Sequence, residues 1–392
     1  MDFRFTREEE EFRKELVAFI KAEVPSEYAA HYLWAGPADW EAERRMRRKL
    51  AERGWLALGW PKEYGGQGAS HMKQMVYTEE MVYHEAPGRD STAVGFLGPC
   101  LIVYGTEEQK RQHLGPIARG EVTWAQGYSE PEAGSDLASL QTRAVEDGDD
   151  YVINGQKIWS SYAHESDWMF VLARTDPDAP KHRGITFFLL DLKTPGISLR
   201  PIVNMAGDHN FNETFFDDVR VPKANIVGEV NRGWYVGMTA LNFERDGIEY
   251  SARARRFFDE LVNCIRDLPS NGGSRLEDPL VRHRLAELAV EIEVARMLSY
   301  RMVWLQSKGE APSHEASIAK LFGTELLLRV ANGATLVTGL VGQLTSSSKW
   351  AILNGRVQNM YLWTRGHVIG GGTSEIQRNI IALRGLGLPR GG

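Results

Sequence analysis

The spacing of apolar and polar positions divides the chain into a helical stretch, a stretch of period two and a second helical stretch. From about residue 6 to 120 the period is helical: Phe12, Leu16, Phe19 and Ile20 recur behind Thr6 and Glu9, an N-terminal capping pattern. Pro25 is expected to end that helix. Residues 44–53 and 72–84 predict further helices, with the glycine-rich run Tyr64-Gly65-Gly66-Gln67-Gly68 as a plain connection between them, since it lacks the spacing and lysine of a P-loop. From about 121 to 230 the period becomes two, and residues 151–153, 168–172, 185–190 and 212–216 read as strands. Turn residues separate them closely and no crossover helix intervenes, so an antiparallel sheet or barrel is expected in place of a wound parallel sheet. The dipeptide Asn154-Gly155 predicts a hairpin turn, because both residues tolerate positive φ. From about 231 onward Leu285, Leu288, Ala289, Ile292 and Ala295 return to helical spacing. Long amphipathic segments of this kind predict a bundle whose apolar faces meet another subunit. The expected fold class is α+β, with an N-terminal helical domain (1–120), a middle antiparallel β-barrel-like domain (121–230) and a C-terminal helix bundle (231–392).

Composition narrows the function classes. A chain of 392 residues, 43% hydrophobic and 25% charged, can bury a large core. A net charge of −6 and a pI near 6.0 argue against a nucleic-acid surface. The run Arg44-Arg45-Met46-Arg47-Arg48-Lys49 reads as a solvated helix face. Cys100 and Cys264 stand far apart and in no Cys-x-x-Cys pair, so neither a disulfide framework nor a zinc site is expected, and a reducing compartment fits. Residues 1–6 lack an apolar signal core, and no run approaches the ~20 apolar residues of a membrane span. A cytoplasmic location, with no membrane and no metal, is the expectation. Neither His-Glu-x-x-His nor Gly-x-Ser-x-Gly occurs.

The stretch richest in candidate chemistry begins Tyr128-Ser129-Glu130-Pro131-Glu132-Ala133-Gly134-Ser135-Asp136 and closes Gln156-Lys157-Ile158-Trp159-Ser160-Ser161-Tyr162. An indole beside hydroxyls and backbone N–H groups suits a flat aromatic ligand with a hydrogen-bonding rim. An exposed loop with a core Trp accounts for the same residue types.

This stretch resembles the flavin-binding middle domain of the acyl-CoA dehydrogenase family, and the resemblance continues in order along nearly the whole chain. Trp60-Pro61-Lys62-Glu63-Tyr64-Gly65-Gly66-Gln67-Gly68 is similar to the family's Pro-x-x-Tyr-Gly-Gly-x-Gly loop, and Gly105-Thr106-Glu107-Glu108-Gln109-Lys110 to its Gly-Thr-x-x-Gln-Lys segment. Gly372-Thr373-Ser374-Glu375-Ile376-Gln377-Arg378 resembles the Gly-Thr-Ser-x-Ile-Gln-Arg signature. The resemblance implies FAD, an acyl-CoA substrate, an electron-transfer flavoprotein as acceptor, and dimers or dimers of dimers. It implies removal of the α-proton of the thioester while the β-hydride passes to flavin N5, giving a trans-2-enoyl-CoA.

In many relatives the base is a Glu immediately before the C-terminal signature, where this sequence has Gly371. A second family pattern places a Glu followed by Arg on the first helix after the β domain; Glu244 and Arg245 match it. The resemblance therefore implies Glu244 as catalytic base, with Asn242, Arg245 and Ser135 on the substrate side. It carries Tyr128, Ser129 and Ser135 onto the ring-facing loop, Trp159 against the ring, Ser161 near flavin N5, and Thr373 and Glu375 along the adenosine portion. The family's Arg-x-x-Phe pair and a Gln, given in trans in homo-oligomers, fall on Gly273, Leu276 and Leu336 here. Two arrangements stay open: a heterotetramer in which a second family subunit supplies that clamp, as in bacterial relatives acting on steroid side chains or dicarboxylic acyl-CoAs, and a homo-oligomer in which Arg275 or a basic neighbour fills the role. An oxidase or oxygenase on the same fold and a silent partner subunit are the rival functions. Gly370, Gly371 and Gly372 leave space that favours a bulky or branched acyl group.

Overall fold

The computed structural model describes residues 4–24, 40–243, 247–270, 273–310 and 312–389. They form two compact units: Met1–Ala38, Ser70–Pro87 and Arg245–Gly392 in one, Asp39–Ala69 and Gly88–Glu244 in the other.

The second unit holds a seven-stranded sheet: β1 (Trp124–Gly127), β2 (Arg143–Asp147), β3 (Asp150–Lys157), β4 (Trp168–Arg174), β5 (Ile185–Asp191), β6 (Ile197–Val203) and β7 (His209–Pro222). Its order is β1-β4-β2-β3-β7-β6, with β5 pairing β4. Most pairs are antiparallel, as expected; β1 runs parallel to β4, with Trp124 opposite Trp168. Side-chain alternation on β4 and β5 serves two cores at once. Phe170, Leu172, Phe187 and Leu189 face a cluster with Leu97, Leu101, Leu114 and Val236, whereas Met169, Val171, Phe188 and Leu190 face one with Tyr151, Ile153 and Phe216. Burial on both faces accounts for their uninterrupted apolar sequence, and each fully buried side chain of this size contributes about 1.5–3 kcal/mol.

Two local readings are corrected. Asn154-Gly155 is not a hairpin turn: it lies inside β3, where the register against β7 shifts between Ile153 and Gly155. Gly155 has φ 146°, and an added Cβ would lie 2.7 Å from the Thr142 Cα, so the residue's freedom serves a bulge. Asn154 exchanges two hydrogen bonds with Asp218, each of 2.9 Å. The hairpin turn itself sits at Gly148, φ 64°, between paired Asp147 and Asp150. The basic run is likewise not a uniformly solvated face. Arg45 and Arg48 are exposed, but Arg47 is buried and pairs with Glu43 (3.4 Å) and Asp90 (3.3 Å).

The helices begin where their caps dictate. Thr6 and Glu9 close a capping box at the start of Arg7–Glu23, and Thr106 and Gln109 do so for Glu107–Ala118. The first helix ends at Glu23 with Val24 extended; Pro25 lies outside the described residues. The other predicted helices run Trp40–Glu52 and His71–Tyr83. In the first unit, Ile248–Asp267, Pro279–Ser307, His314–Thr338 and Arg356–His367 pack around Phe257, Leu261, Leu288, Leu326, Leu327 and Val357. Among the described residues no helix is long and apolar enough to cross a membrane, and no cluster of His, Cys, Asp or Glu could hold a metal ion.

Candidate active site

Two loops of the second unit meet at one backbone bond. The first follows β1 and carries Tyr128, Ser129 and Ser135; the second follows β3 and carries Trp159 and Ser161. The Ile158 N–H donates to the Ser129 carbonyl at 2.9 Å, which sets the start of one loop against the other. Trp159 then takes φ 61°, a left-handed conformation costly for a non-glycine residue, and is 54% exposed, its indole edge-on to Phe211 at 5.8 Å. Ser129 and Ser161 are half-buried, and among the described residues neither hydroxyl makes a hydrogen bond. Tyr128 differs: its ring turns into the core, edge-on to Phe170 at 5.7 Å, so only its backbone can face a ligand. Ser135 is exposed, two residues beyond a turn closed by reciprocal bonds between Glu130 and Ala133 of 3.0 and 3.1 Å.

A layer beneath the second loop keeps it in place. Ser160 is fully buried; its N–H donates to the Asn212 carbonyl at 3.0 Å and its Oγ accepts from Thr214 at 3.0 Å. Asn212 returns a bond from Nδ2 to the Ser160 carbonyl (3.1 Å), lies 3.0 Å from His164 Nδ1, and through Oδ1 meets His209 Nε2 at 2.9 Å. The His164 and His209 rings stack at 4.0 Å, and burial followed by the neighbouring imidazole lowers the His164 pKa.

Sequence reasoning quoted Glu130 and Lys157 but gave them no role. Lys157 is fully buried; its Nζ donates to Glu130 Oε1 at 2.7 Å and to the Tyr128 carbonyl at 3.0 Å. Glu130 also accepts the N–H groups of Gln141 (2.6 Å) and Thr142 (2.9 Å). Burial pulls the ammonium down to about 8 despite its partner. For Glu130 burial pushes upward, yet the Lys157 charge and these hydrogen bonds leave the carboxyl below its ordinary value. The available signal was a lysine on the strand at the even spacing of the buried Tyr151 and Ile153.

The helix Gly233–Phe243 approaches the sheet through glycines. A Cβ at Gly233 would lie 2.3 Å from the Phe187 nitrogen, and one at Gly237 2.9 Å from the Tyr128 hydroxyl. Asn242 is on the last turn of this helix; Glu244 and Arg245 lie outside the described residues.

In the first unit, Thr373 caps the short helix Ser374–Ile380 by accepting the Ile376 N–H at 3.2 Å. The preceding turn has Gly371 at φ 65° and Gly372 at φ 87°, and Lys320 donates to the Gly372 carbonyl at 2.7 Å. A Cβ at Gly371 would meet nothing within 4 Å. Glu375 is exposed, its carboxyl lowered by hydrogen bonds from its own N–H and from Thr373. Among the described residues, the buried Ser374 Oγ and Gln377 Oε1 have no hydrogen-bond partner. Leu336 is 73% exposed, and Arg275 donates to the Val337 carbonyl at 2.7 Å, capping the end of His314–Thr338.

Comparison with known proteins covers the same span. The N-terminal, middle and C-terminal domains described for acyl-CoA dehydrogenases match residues 6–121, 125–219 and 231–386. The chain is 39% identical to acyl-CoA dehydrogenase FadE26 of Mycobacterium tuberculosis (strain ATCC 25618 / H37Rv), covering 100% of this chain and 99% of that protein. Its identity to acyl-CoA dehydrogenase IpdE1 of the same organism is 38%, over 97% and 98% of the two chains. Among solved structures it is similar to a chain of the Tcur3481-Tcur3483 steroid ACAD (TM-score 0.90, 38% identity, 100% of both chains). It is equally similar to a chain of the ChsE4-ChsE5 complex from Mycobacterium tuberculosis (TM-score 0.91, 38% identity, 100% of both chains). The fold of helices, sheet and helices, and the identity along its whole length, make this chain a member of the acyl-CoA dehydrogenase family, flavin-dependent oxidoreductases acting on acyl-CoA.

Proposed function

We propose that the chain catalyses the FAD-dependent α,β-dehydrogenation of a bulky acyl-CoA thioester to its trans-2-enoyl-CoA, as one subunit of a heteromer. The observation that carries the flavin assignment is Trp159: an exposed indole held at positive φ by a fully bonded layer below it, beside the Ser129 and Ser161 hydroxyls. That donor set fits a flat heteroaromatic ring, with an aromatic face for packing and hydroxyls for its polar edge. Thr373 and Glu375 are assigned to the adenosine side, where the unpartnered Ser374 Oγ and Gln377 Oε1 offer further polar atoms. When bound, FAD supplies the oxidant, accepting the β-hydrogen with its electron pair at N5; an electron-transfer flavoprotein then takes the electrons on.

Glu244 is assigned as the base that takes the α-proton. A carboxylate in a dry pocket beside the thioester becomes more basic through desolvation. Asn242, Arg245 and Ser135 are assigned to orienting the acyl-CoA. Gly371 supports this division, because the position of the usual base holds no side chain and the space around it is open.

The heteromer rests on the Arg275 and Leu336 positions. Arg275 is engaged by a helix end, and an exposed leucine stands where the family has a glutamine, which supports a dinucleotide clamp given by a second family subunit. The similar chains of the Tcur3481-Tcur3483 steroid ACAD and the ChsE4-ChsE5 complex support the same reading, the first also a steroid substrate. The test is the ratio of bound flavin to protein. The chain purified alone should hold little flavin, and co-expression with a second family subunit should restore it; a ratio near one for the chain alone refutes the heteromer. In the flavin-bearing assembly Glu244→Gln should lower turnover by at least ~10²-fold with flavin retained. Undiminished turnover removes Glu244 as base.

A further inference from the structure

The Lys157–Glu130 pair lies under the exact joint between the two ring-facing loops. Lys157 ends β3 and is followed directly by Ile158 and Trp159; Glu130 directly follows Ser129. One ammonium therefore binds a carboxylate and the Tyr128 carbonyl at once, at 2.7 and 3.0 Å. The peptide unit is planar and its C=O and N–H point oppositely. Turning the Tyr128 carbonyl towards Lys157 therefore turns the Ser129 N–H the other way, and among the described residues that N–H makes no backbone hydrogen bond. Glu130 ties the same joint outward, to the Gln141 and Thr142 N–H groups at the entrance to β2. A buried ion pair is a poor device for stability alone, because desolvating both ions offsets most of their attraction and an apolar pair packs as well. A fixed peptide orientation is something an apolar pair cannot provide.

We infer that Lys157 and Glu130 are positioning residues of the flavin site: they set the Tyr128–Ser129 peptide plane and the chain entering Trp159 before the ring arrives. The inference rests on the assignment of these loops to the flavin. Neither residue touches the ring; each acts through the backbone it holds. The paired loss of charge is the informative perturbation. Lys157→Met with Glu130→Gln leaves no unpaired ion and nearly preserves both volumes; the glutamine carbonyl keeps one of the two N–H bonds now shared between Oε1 and Oε2, and Glu130→Gln alone shows what the loss of the other contributes.

The experiment uses the flavin-bearing assembly that this chain forms, alone or with its second subunit. Two readouts are taken: the FAD dissociation constant after flavin removal, and amide hydrogen exchange of residues 126–135 and 156–163 in the flavin-free state. Exchange in both segments should rise in the double variant, and FAD should bind ~10-fold or more weakly, with the bound flavin's absorption bands moving towards those of free FAD. Glu130→Gln alone strands the buried ammonium but leaves its bond to the Tyr128 carbonyl, so it should lower thermal stability while weakening FAD binding less than the double variant does. Arg47→Met, which breaks a buried pair elsewhere in the unit, should lower thermal stability and leave FAD affinity within twofold. Unchanged exchange and unchanged affinity in the double variant overturn the inference. Trp159→Ala separates its failure from that of the flavin assignment: if that variant also binds FAD normally the loops are not the ring site, whereas if it alone binds weakly the ion pair has no positioning role.

Discussion

Acidification tests the packing at the start of β1, the strand that leads into the first site loop. His113, on the helix Glu107–Ala118, is buried between two indoles, edge-on to Trp124 at 5.3 Å and to Trp168 at 5.1 Å. Burial lowers its pKa from 6.5 to about 4. The unfolded chain takes up a proton first, so this histidine's contribution is complete above pH 6.5 and is lost as pH falls towards 4. One pKa unit corresponds to about 1.4 kcal/mol. Integrated from pH 7 to pH 5, the loss for a histidine shifted in this way is about 2 kcal/mol. His113→Phe keeps an aromatic edge between the two indoles and removes the titration. Unfolding by denaturant, followed through tryptophan fluorescence at pH 7 and pH 5, should show wild type losing about 2 kcal/mol more than the variant over that interval. Equal losses would mean that His113 is solvated or already protonated in the folded chain, and the reasoning would fail.

Two further predictions concern packing. Arg356 pairs with Glu85, which is 1% exposed, and with Glu260 at 2.7 Å, while burial pushes the Glu85 carboxyl up. Arg356→Met should cost about 3–5 kcal/mol at neutral pH by leaving a carboxylate buried without its partner. That deficit should shrink as pH falls and Glu85 protonates, and a penalty independent of pH would contradict the account. A Cβ at Gly98 would sit 1.9 Å from the Trp60 ring, whose Nε1 is fixed to the Val94 carbonyl, whereas one at Gly134 meets nothing within 4 Å. Thermal melting of Gly98→Ala should therefore show a loss of about 3 kcal/mol, and Gly134→Ala a change within about 0.5 kcal/mol.

What could be read from the sequence was what local chemistry specifies. Thr6 with Glu9, and Thr106 with Gln109, announce helix starts because both partners of each capping box lie within one turn. The apolar, aromatic-rich runs of β4 and β5 between turn residues marked them as strands, although their burial on both faces could only be known once both cores were present. Asn154-Gly155 was misread because positive φ suits a bulge as well as a turn, and the choice depends on Asp218 and Thr142, distant in the chain. Arg47 looked like surface because one of its partners, Asp90, is 43 residues away (90 − 47). Lys157 and Glu130 escaped assignment for the same reason, being 27 residues apart. Trp159 was picked out by its type and its place in a motif, but the strained backbone that presents it depends on contacts with β7.

The interleaving of the two units has a consequence for synthesis. One unit is complete once residue 244 has been made, from the segments Asp39–Ala69 and Gly88–Glu244. The other takes in the helices Arg7–Glu23 and His71–Tyr83, made before the sheet, and cannot close until the helices after residue 247 are made, because its core joins Met75 to Ile248, Tyr300 and Val303. The ribosome thus holds the early helices Arg7–Glu23 and His71–Tyr83 without their apolar partners while the sheet is already able to fold. Synthesis interrupted after the β domain would release a chain with a finished sheet and orphaned sticky helices. Such a product would be a target for chaperones and proteases even though every residue of its ring-facing loops was present.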